Sequence, residues 1–557
     1  MRTSDGVSAT NRGIWDNGSK CRRRLSAMPE SGSIPSPPLR HWTLLLAIAL
    51  PLLALILLGQ DRNWDLLNYH LYNPHAWLHG RLLLDIAPAQ MQSWHKPLLD
   101  VPLYLMTRAG WPGFVVGLWL TVPSMVALYL LLRIYMLLSI PPLSRLRVAT
   151  LAVFTMGGVG FFAVVGTCLN DAFVAAGVLG SLYLLLREDP DADRSGVWCM
   201  AGALAGATTG LKLTAAVYCL GLAGAALTWP SWRQLPRRLV ALLLGGIVGF
   251  ALTYGYWGML LFQLHGNPFF PYLNQIFHAP DAPFAALGDA RYQPPSLIDA
   301  LLIPFRLLVT GQRYSEMHLR DPRLLLGIVA WAALLWRARR DTNHRDTTRI
   351  ARLQALAGFF LIALLAWSLQ SGVYRYAIPL EMLGCLGFVL MLEWLPPRRL
   401  DSGTIIACLL AIAATFPATW GRSHFKSAFV DVQMPPLPGG SMLVLSGTSA
   451  LAYAVTALPD DVAAISIENN FMQPDRCTNL QAVAEHRIAT HTGPLWLLRE
   501  AAAEGGSGER DAARFYGLDV SGACLTVTSN IDDLKLCPLR RDPRPVLCAL
   551  FVSAPGR

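Results

Sequence analysis

The stretch Asp61–Arg81 (DRNWDLLNYHLYNPHAWLHGR) holds the residues best suited to chemistry. If it is helical from Asp65, then Asp65, Asn68, Tyr69 and Tyr72 fall at i, i+3, i+4 and i+7 and share one face. A carboxylate, an amide and two phenols, with His70 beside them, suit a polyhydroxylated substrate, and the carboxylate could take a proton from an attacking hydroxyl. The same residues also fit a plainer assignment, in which Asp61 and Asp65 cap a juxtamembrane helix and the Trp and Tyr rings form an interfacial belt. Pro74 interrupts the run. Asn73 as N-cap, Pro74 at N1 and Gly80 just past the end predict a second short helix. Four of the twelve histidines (His70, His75, His79, His95) lie in this region. The i, i+4 pair His75 and His79 could bind a metal with Asp85 or Asp61, but no His-Glu pair of the zinc-protease type accompanies it, and solvated interfacial histidines fit better. No cofactor is therefore certain, and a divalent cation stays open.

These residues must be positioned by a membrane protein. Of 557 residues, 53% are hydrophobic and only 15% charged, with a mean hydropathy of +0.39, which excludes disorder, collagen, coiled coil and a small disulfide scaffold. The net charge of +10 raises nucleic acid as a partner, but no Lys/Arg stripe interleaved with aromatics occurs. Apolar runs predict about eleven spans, at 42–59, 113–138, 148–166, 170–186, 197–210, 212–229, 239–258, 323–336, 354–370, 376–394 and 404–420. Alternate connections carry Arg22–Arg24, Arg133 with Arg145 and Arg147, Arg233 with Arg237 and Arg238, Arg337–Arg349, and Arg398 with Arg399. By the positive-inside rule these loops and the N-terminus are cytoplasmic, so an odd number of spans leaves the C-terminus outside. The predicted fold class is an all-α polytopic membrane protein with a small C-terminal soluble α/β domain.

In domain terms, residues 1–41 read as a disordered tail in which Met28 is a candidate start, which an intact N-terminal mass would test. Residues 42–420 form the transmembrane part. The first apolar run shows no A-x-A-like site of signal-peptide cleavage. Two outer loops, 60–112 and 260–322, exceed simple connectors. In the second, His265–Phe277 (HGNPFFPYLNQIF) is expected along the membrane surface with Phe269, Phe270, Tyr272 and Phe277 dipping in, as a flap or as a packed connector. Residues 421–440 are a Pro/Gly-rich linker. From 441 to 557 the apolar runs shorten to strand length (Met442–Leu445, Ala463–Ile467, Cys524–Thr528), with a helix-like run at Pro494–Ala503. Cys477, Cys524, Cys537 and Cys548 all lie there. Either they stay free, or Cys524 with Cys537 staples neighbouring strands.

Three further motifs carry a resemblance. Asp65 stands fifteen residues before Gly80, and Trp94-His95-Lys96-Pro97-Leu98 follows; Gly206–Thr214 reads GATTGLKLT; Tyr374–Leu380 reads YRYAIPL. In this order they resemble the first outer loop, the glycine- and lysine-bearing helix junction and the R-Y-x-x-P element of GT-C superfamily membrane glycosyltransferases. The similarity is greatest to the protein mannosyltransferase and aminoarabinose transferase group. Leu66 follows Asp65 where close relatives often carry Glu, and one proline, not two, follows Lys96.

The resemblance implies a polyprenyl-phosphate sugar as donor, other membrane lipids around it, and an acceptor of unspecified kind reaching the outer face. Asp65 would be the general base, and Asp171 would steer the acceptor or a cation, although Asn170-Asp171 is also an ordinary N-cap pair. Lys96, Lys212 and Arg375 would hold the donor phosphate, while Asn68, Tyr69, His70, Tyr72 and Tyr376 would line the substrate site. For Lys212 the plainer assignment is a snorkelling interfacial lysine. A compact chain without a retention signal points to a bacterial inner membrane, with the C-terminal domain periplasmic. The alternative is a transporter or lipid flippase, in which Gly202, Gly206 and Gly210 would mark a broken helix.

Overall fold

A computed structural model describes residues 37–542 and 548, apart from 141, 191, 193, 286, 288–289, 341–346, 474–475 and 504–511. The N-terminal tail and Met28 lie outside the described residues. The fold is mostly helical, with its main sheet in the C-terminal region. Five helices are long and apolar enough to cross a membrane: Pro38–Leu58, Gly113–Leu138, Trp232–His265, Thr347–Gln370 and Tyr374–Leu392. The sequence predicts eleven.

The difference lies in length and continuity. Helices do stand in the other expected places, but several are short: Leu400–Ala413 has 14 residues, which is only about 21 Å at the α-helical rise. Arg323–Arg340 ends in Arg337, Arg339 and Arg340. The expected span 148–166 is split into Arg145–Met156 and Val159–Val164 at Gly157-Gly158. In an apolar setting the amides and carbonyls bared by such a break need partners. Asp321 Oδ2 accepts from Val159 N at 3.0 Å, Glu381 Oε2 accepts from Gly160 N at 2.9 Å, and Arg323, paired to Asp321 at 2.9 Å, donates to the Phe154 carbonyl at 3.1 Å.

Gly202, Gly206 and Gly210 do not break their helix, which runs unbroken from Ser195 to Leu211. They form the face that meets Leu235–His265. A Cβ on Gly206 would lie 2.1 Å from the Gly246 carbonyl oxygen, and one on Gly249 would lie 1.9 Å from that of Ala203. Small residues let the two backbones touch, as in tightly packed membrane helix pairs. Gly206→Leu is expected to force the pair apart at a cost of about 1–3 kcal/mol or more, read as a lower unfolding temperature in detergent. An unchanged midpoint would contradict this packing.

The C-terminal sheet follows the strand order Val432–Gln433, Leu525–Ser529, Leu534–Arg541, Leu495–Glu500, Met442–Ser446, Ala463–Glu468, with Leu518–Val520 also on Leu534–Arg541. Met442–Ser446 is parallel to both of its neighbours, and Asn479–Thr490 lies in the crossover between two of them. The run 494–503, expected to be helical, instead supplies the strand Leu495–Glu500. Leu495–Leu498, four apolar residues bedded between two strands, show no alternation to betray a strand. Disulfides join Cys524 to Cys537 and Cys477 to Cys548.

This domain is joined to the first outer loop at many points. Ile86 adds to the free edge of Ala463–Glu468 through two backbone hydrogen bonds of 2.9 Å. The segment expected to be a linker takes part as well: Arg422–Ser423 pairs with Gln60–Asp61, and Val432–Gln433 joins the sheet. Of the rings in His265–Phe277, Phe269, Tyr272 and Phe277 are half-buried. Phe270 is buried, stacked on His265 at 4.0 Å and edge-on to Trp94 at 4.8 Å, and Phe269 stacks on Tyr254 at 5.6 Å. The first half of this segment is thus packed on the protein, while Leu273 and Ile276 in its second half are exposed.

Candidate functional site

The expected helix from Asp65 forms as a wider π-turn, Leu66–His70, followed by the short helix Tyr72–Leu78. Gly80 ends it with a positive φ of 66°, a conformation that favours glycine. The wider turn rotates the side chains away from a single face. Asp65 and Tyr69 stay together, with the Tyr69 hydroxyl donating to Asp65 Oδ2 at 3.3 Å. Tyr72 turns the other way and donates to Asp85 Oδ2 at 3.1 Å. Asn68 is spent on the loop itself, donating to the Ala89 carbonyl at 3.1 Å and to Gln92 Oε1 at 3.3 Å.

Asp65 faces Arg375, which stands at the head of the helix Ile378–Leu392, with Nη1 to Oδ2 at 2.8 Å. Beside this pair is a second one. Asp171 opens the helix Asp171–Arg187, and its Oδ1 accepts from Lys212 Nζ at 2.5 Å. Lys212 also donates to the Leu169 carbonyl at 2.5 Å. The ring of Tyr376 connects the pairs, with the Lys212 ammonium 5.4 Å and the Arg375 guanidinium 5.3 Å from its centroid. These distances allow cation–π attraction. The expected capping role for Asn170 is not taken up: it adopts a left-handed backbone with φ 59° and sends its amide to Asp100 Oδ1 at 3.1 Å. His70 Nδ1 lies 2.8 Å from that same oxygen.

Lys96 approaches from the loop's far end. Its Nζ lies 3.5 Å from the Gly210 carbonyl, two residues before Lys212. His95 packs edge-on to Tyr69 at 4.9 Å and shares a 2.7 Å hydrogen bond with the Tyr272 hydroxyl. The structure thus gathers Asp65, Tyr69, Asp171, Lys212, Arg375 and Tyr376 about one locus, with His70 behind them, Lys96 reaching only the Gly210 carbonyl, and Asn68 and Tyr72 directed elsewhere.

The electrostatics follow from burial against charge. Burial pushes the Asp65 carboxyl up, but Arg375, His70 and Lys212 outweigh it and hold it below the ordinary carboxylate value. Asp65 is an anion here. Burial pulls the Lys96 ammonium down to about 8 and the His95 imidazole down to about 4, against an opposing pull from Asp65. Asp171 Oδ2 and Arg375 Nε are buried with no hydrogen-bond partner. Buried polar atoms are nearly always satisfied, so this locus has bonding capacity that its own side chains leave unused.

Asp100 escaped the sequence reading. It sits five residues past His95 and contacts both His70 and Asn170; nothing local marks it, because its partner Asn170 is 70 residues away. The metal reading does not survive the geometry. His75 and His79 both meet the Tyr104 hydroxyl, at 2.9 and 3.1 Å. Asp85 is paired with Arg81, and Asp61 accepts from Asn63 and the Cys168 amide. Among the described residues no group of three His, Cys, Asp or Glu is placed to hold a metal ion.

No family model, curated protein or solved structure matches this chain.

Proposed function

We propose that this protein is a membrane glycosyltransferase that moves a sugar from a polyprenyl-phosphate donor to an acceptor on the outer face of a bacterial inner membrane. The observation that carries this reading is the doubled ion pair, Asp65 with Arg375 and Asp171 with Lys212, bridged by Tyr376. Two cations beside two carboxylates, with Lys96 as a third cation in reach of the Lys212 turn, suit a lipid-linked phosphate that must leave with increased negative charge. Arg375 can grip two phosphate oxygens in a fork, and the lysines supply point charges.

The pairing also implies an order of events. While Arg375 holds Asp65, the carboxylate is ionised but weakly basic. A donor phosphate that draws Arg375 to itself leaves Asp65 still an anion and more basic, ready to take the acceptor's proton as the acceptor oxygen bonds to the anomeric carbon. The bond from that carbon to the phosphate oxygen breaks, and polyprenyl phosphate departs. A single displacement inverts the anomeric centre. The eleven-span topology, with the loop and the disulfide-bonded domain on the oxidising side, belongs to this same reading.

The test is binding of polyprenyl phosphate by the purified chain and by Arg375→Ala and Lys212→Ala. Each variant is expected to bind at least about tenfold more weakly, whereas equal binding by all three overturns the phosphate site.

Lys96 adds a pH signature. Held at about 8 in the free protein, its ammonium is present below that pH and lost above it. Affinity for polyprenyl phosphate is expected to hold steady up to about pH 8 and then to fall by up to roughly tenfold per pH unit. Lys96→Arg, which stays charged, should flatten the fall. A profile identical in both proteins would remove Lys96 from the phosphate site.

A further inference from the structure

A second cleft, of about 520 Å³, opens where three distant segments meet: the entry to the first outer loop, the strand at Arg422, and the turns of the C-terminal sheet. Its walls include Arg62, Trp64, Thr448, Ser449, Glu500 and Asp532. Trp64 is 38% exposed, and its indole N–H is fixed on the Thr448 carbonyl at 3.2 Å. That bond holds the ring as a rigid wall. Across from it, Arg62 and Asp532 are ion-paired, and Tyr453 donates to the second oxygen of Asp532 at 3.3 Å. The Glu500 carboxylate and the side-chain hydroxyls of Thr448 and Ser449 have no hydrogen-bond partner among the described residues, and both hydroxyls are exposed.

From this lining we infer that the cleft is a saccharide-binding site, and that it receives the sugar part of the acceptor. An aromatic face packs against the C–H face of a pyranose, while a carboxylate and two hydroxyls accept and donate to its O–H groups. A cation would suit the cleft less, since Arg62 and Arg422 offset Glu500 and Asp532 in formal charge. The word acceptor rests on the transferase reading. Trp64 directly precedes Asp65, so their Cα atoms are about 3.8 Å apart, and a sugar in the cleft lies against the chain neighbour of the proposed base.

Saccharide binding is measured independently of transfer, by saturation-transfer NMR on the full chain in nanodiscs. The probes are the methyl glycosides of glucose, galactose, mannose and N-acetylglucosamine. At least one is expected to receive saturation in wild type, to lose it by about tenfold or more in Trp64→Ala and Glu500→Gln, and to keep it in Trp64→Phe, which retains a stacking ring. If no probe is saturated in wild type, or if Trp64→Ala behaves as wild type, the cleft is not a sugar site. If the sugar pattern holds while wild type releases no polyprenyl phosphate from a polyprenyl-phosphate sugar, the cleft stands and the transferase reading is what fails.

Discussion

Asp65→Asn is expected to lower the rate of sugar transfer by about a hundredfold to ten-thousandfold, the range typical of a lost general base, while the donor still binds. Asparagine preserves the size of the side chain and can still accept a hydrogen bond from Arg375, so the surrounding pairs need not rearrange. What it cannot do is take a proton. Arg375, freed of its counter-charge, should hold the donor phosphate at least as tightly as before. The check is release of polyprenyl phosphate over time, alongside donor binding. A variant that keeps more than about a tenth of wild-type turnover would show that the carboxylate is not the base.

The largest structural effect is expected at Arg81. Arg81 and Asp85 are each 1% exposed in their side chains and bonded at 2.9 Å, and the guanidinium also donates to the carbonyls of Asp460 and Val462 at 3.2 and 2.5 Å. Asp85 in turn accepts from the Ala464 amide at 2.9 Å. This pair is the hinge point by which the first outer loop is fastened to the edge of the C-terminal sheet. Burial already pushes the Asp85 carboxyl up, with Arg81 the main opposing influence. Arg81→Ala leaves a buried charge uncompensated, a loss of about 3–5 kcal/mol. It is expected to lower the unfolding midpoint markedly and to expose the Gly421–Gly440 segment to protease. Replacing both partners, Arg81→Met with Asp85→Leu, should recover part of the stability, because the desolvation cost of the charges goes with them while the Ala464 amide, the Tyr72 hydroxyl and the Asp460 and Val462 carbonyls lose their partners. Wild-type stability in Arg81→Ala would mean that the loop is held by something else.

Much of this architecture is readable in the chain, and the misses have definite causes. Hydropathy locates helices such as Gly113–Leu138 and Thr347–Gln370 because a lipid-facing helix must be apolar over most of its length. It overstates continuity at 148–166, because Gly157-Gly158 is apolar too and only Asp321 and Glu381, more than 150 residues later, make the break tolerable. The glycines at 202, 206 and 210 read equally well as a break or as a packing face until the opposing Gly246 and Ala203 are in view. Pairing across long separations explains the site as well. Asp65 stands out by type, but its partner is 310 residues away, and nothing local distinguishes Tyr72, which turns to Asp85, from Tyr69, which stays. A π-turn in place of an α-turn moves each later residue around the helix axis, so a face drawn at 3.6 residues per turn holds for Asp65 and Tyr69 and fails at Tyr72.

The most direct test of the central claim is native mass spectrometry of the detergent-purified chain beside Lys96→Ala and Arg375→Ala. A co-purifying mass equal to a polyprenyl phosphate bearing one sugar, present on wild type and depleted on both variants, is the expected result, and the mass would identify the sugar. Bulk phospholipid alone, carried equally by all three proteins, would contradict a polyprenyl-phosphate sugar donor.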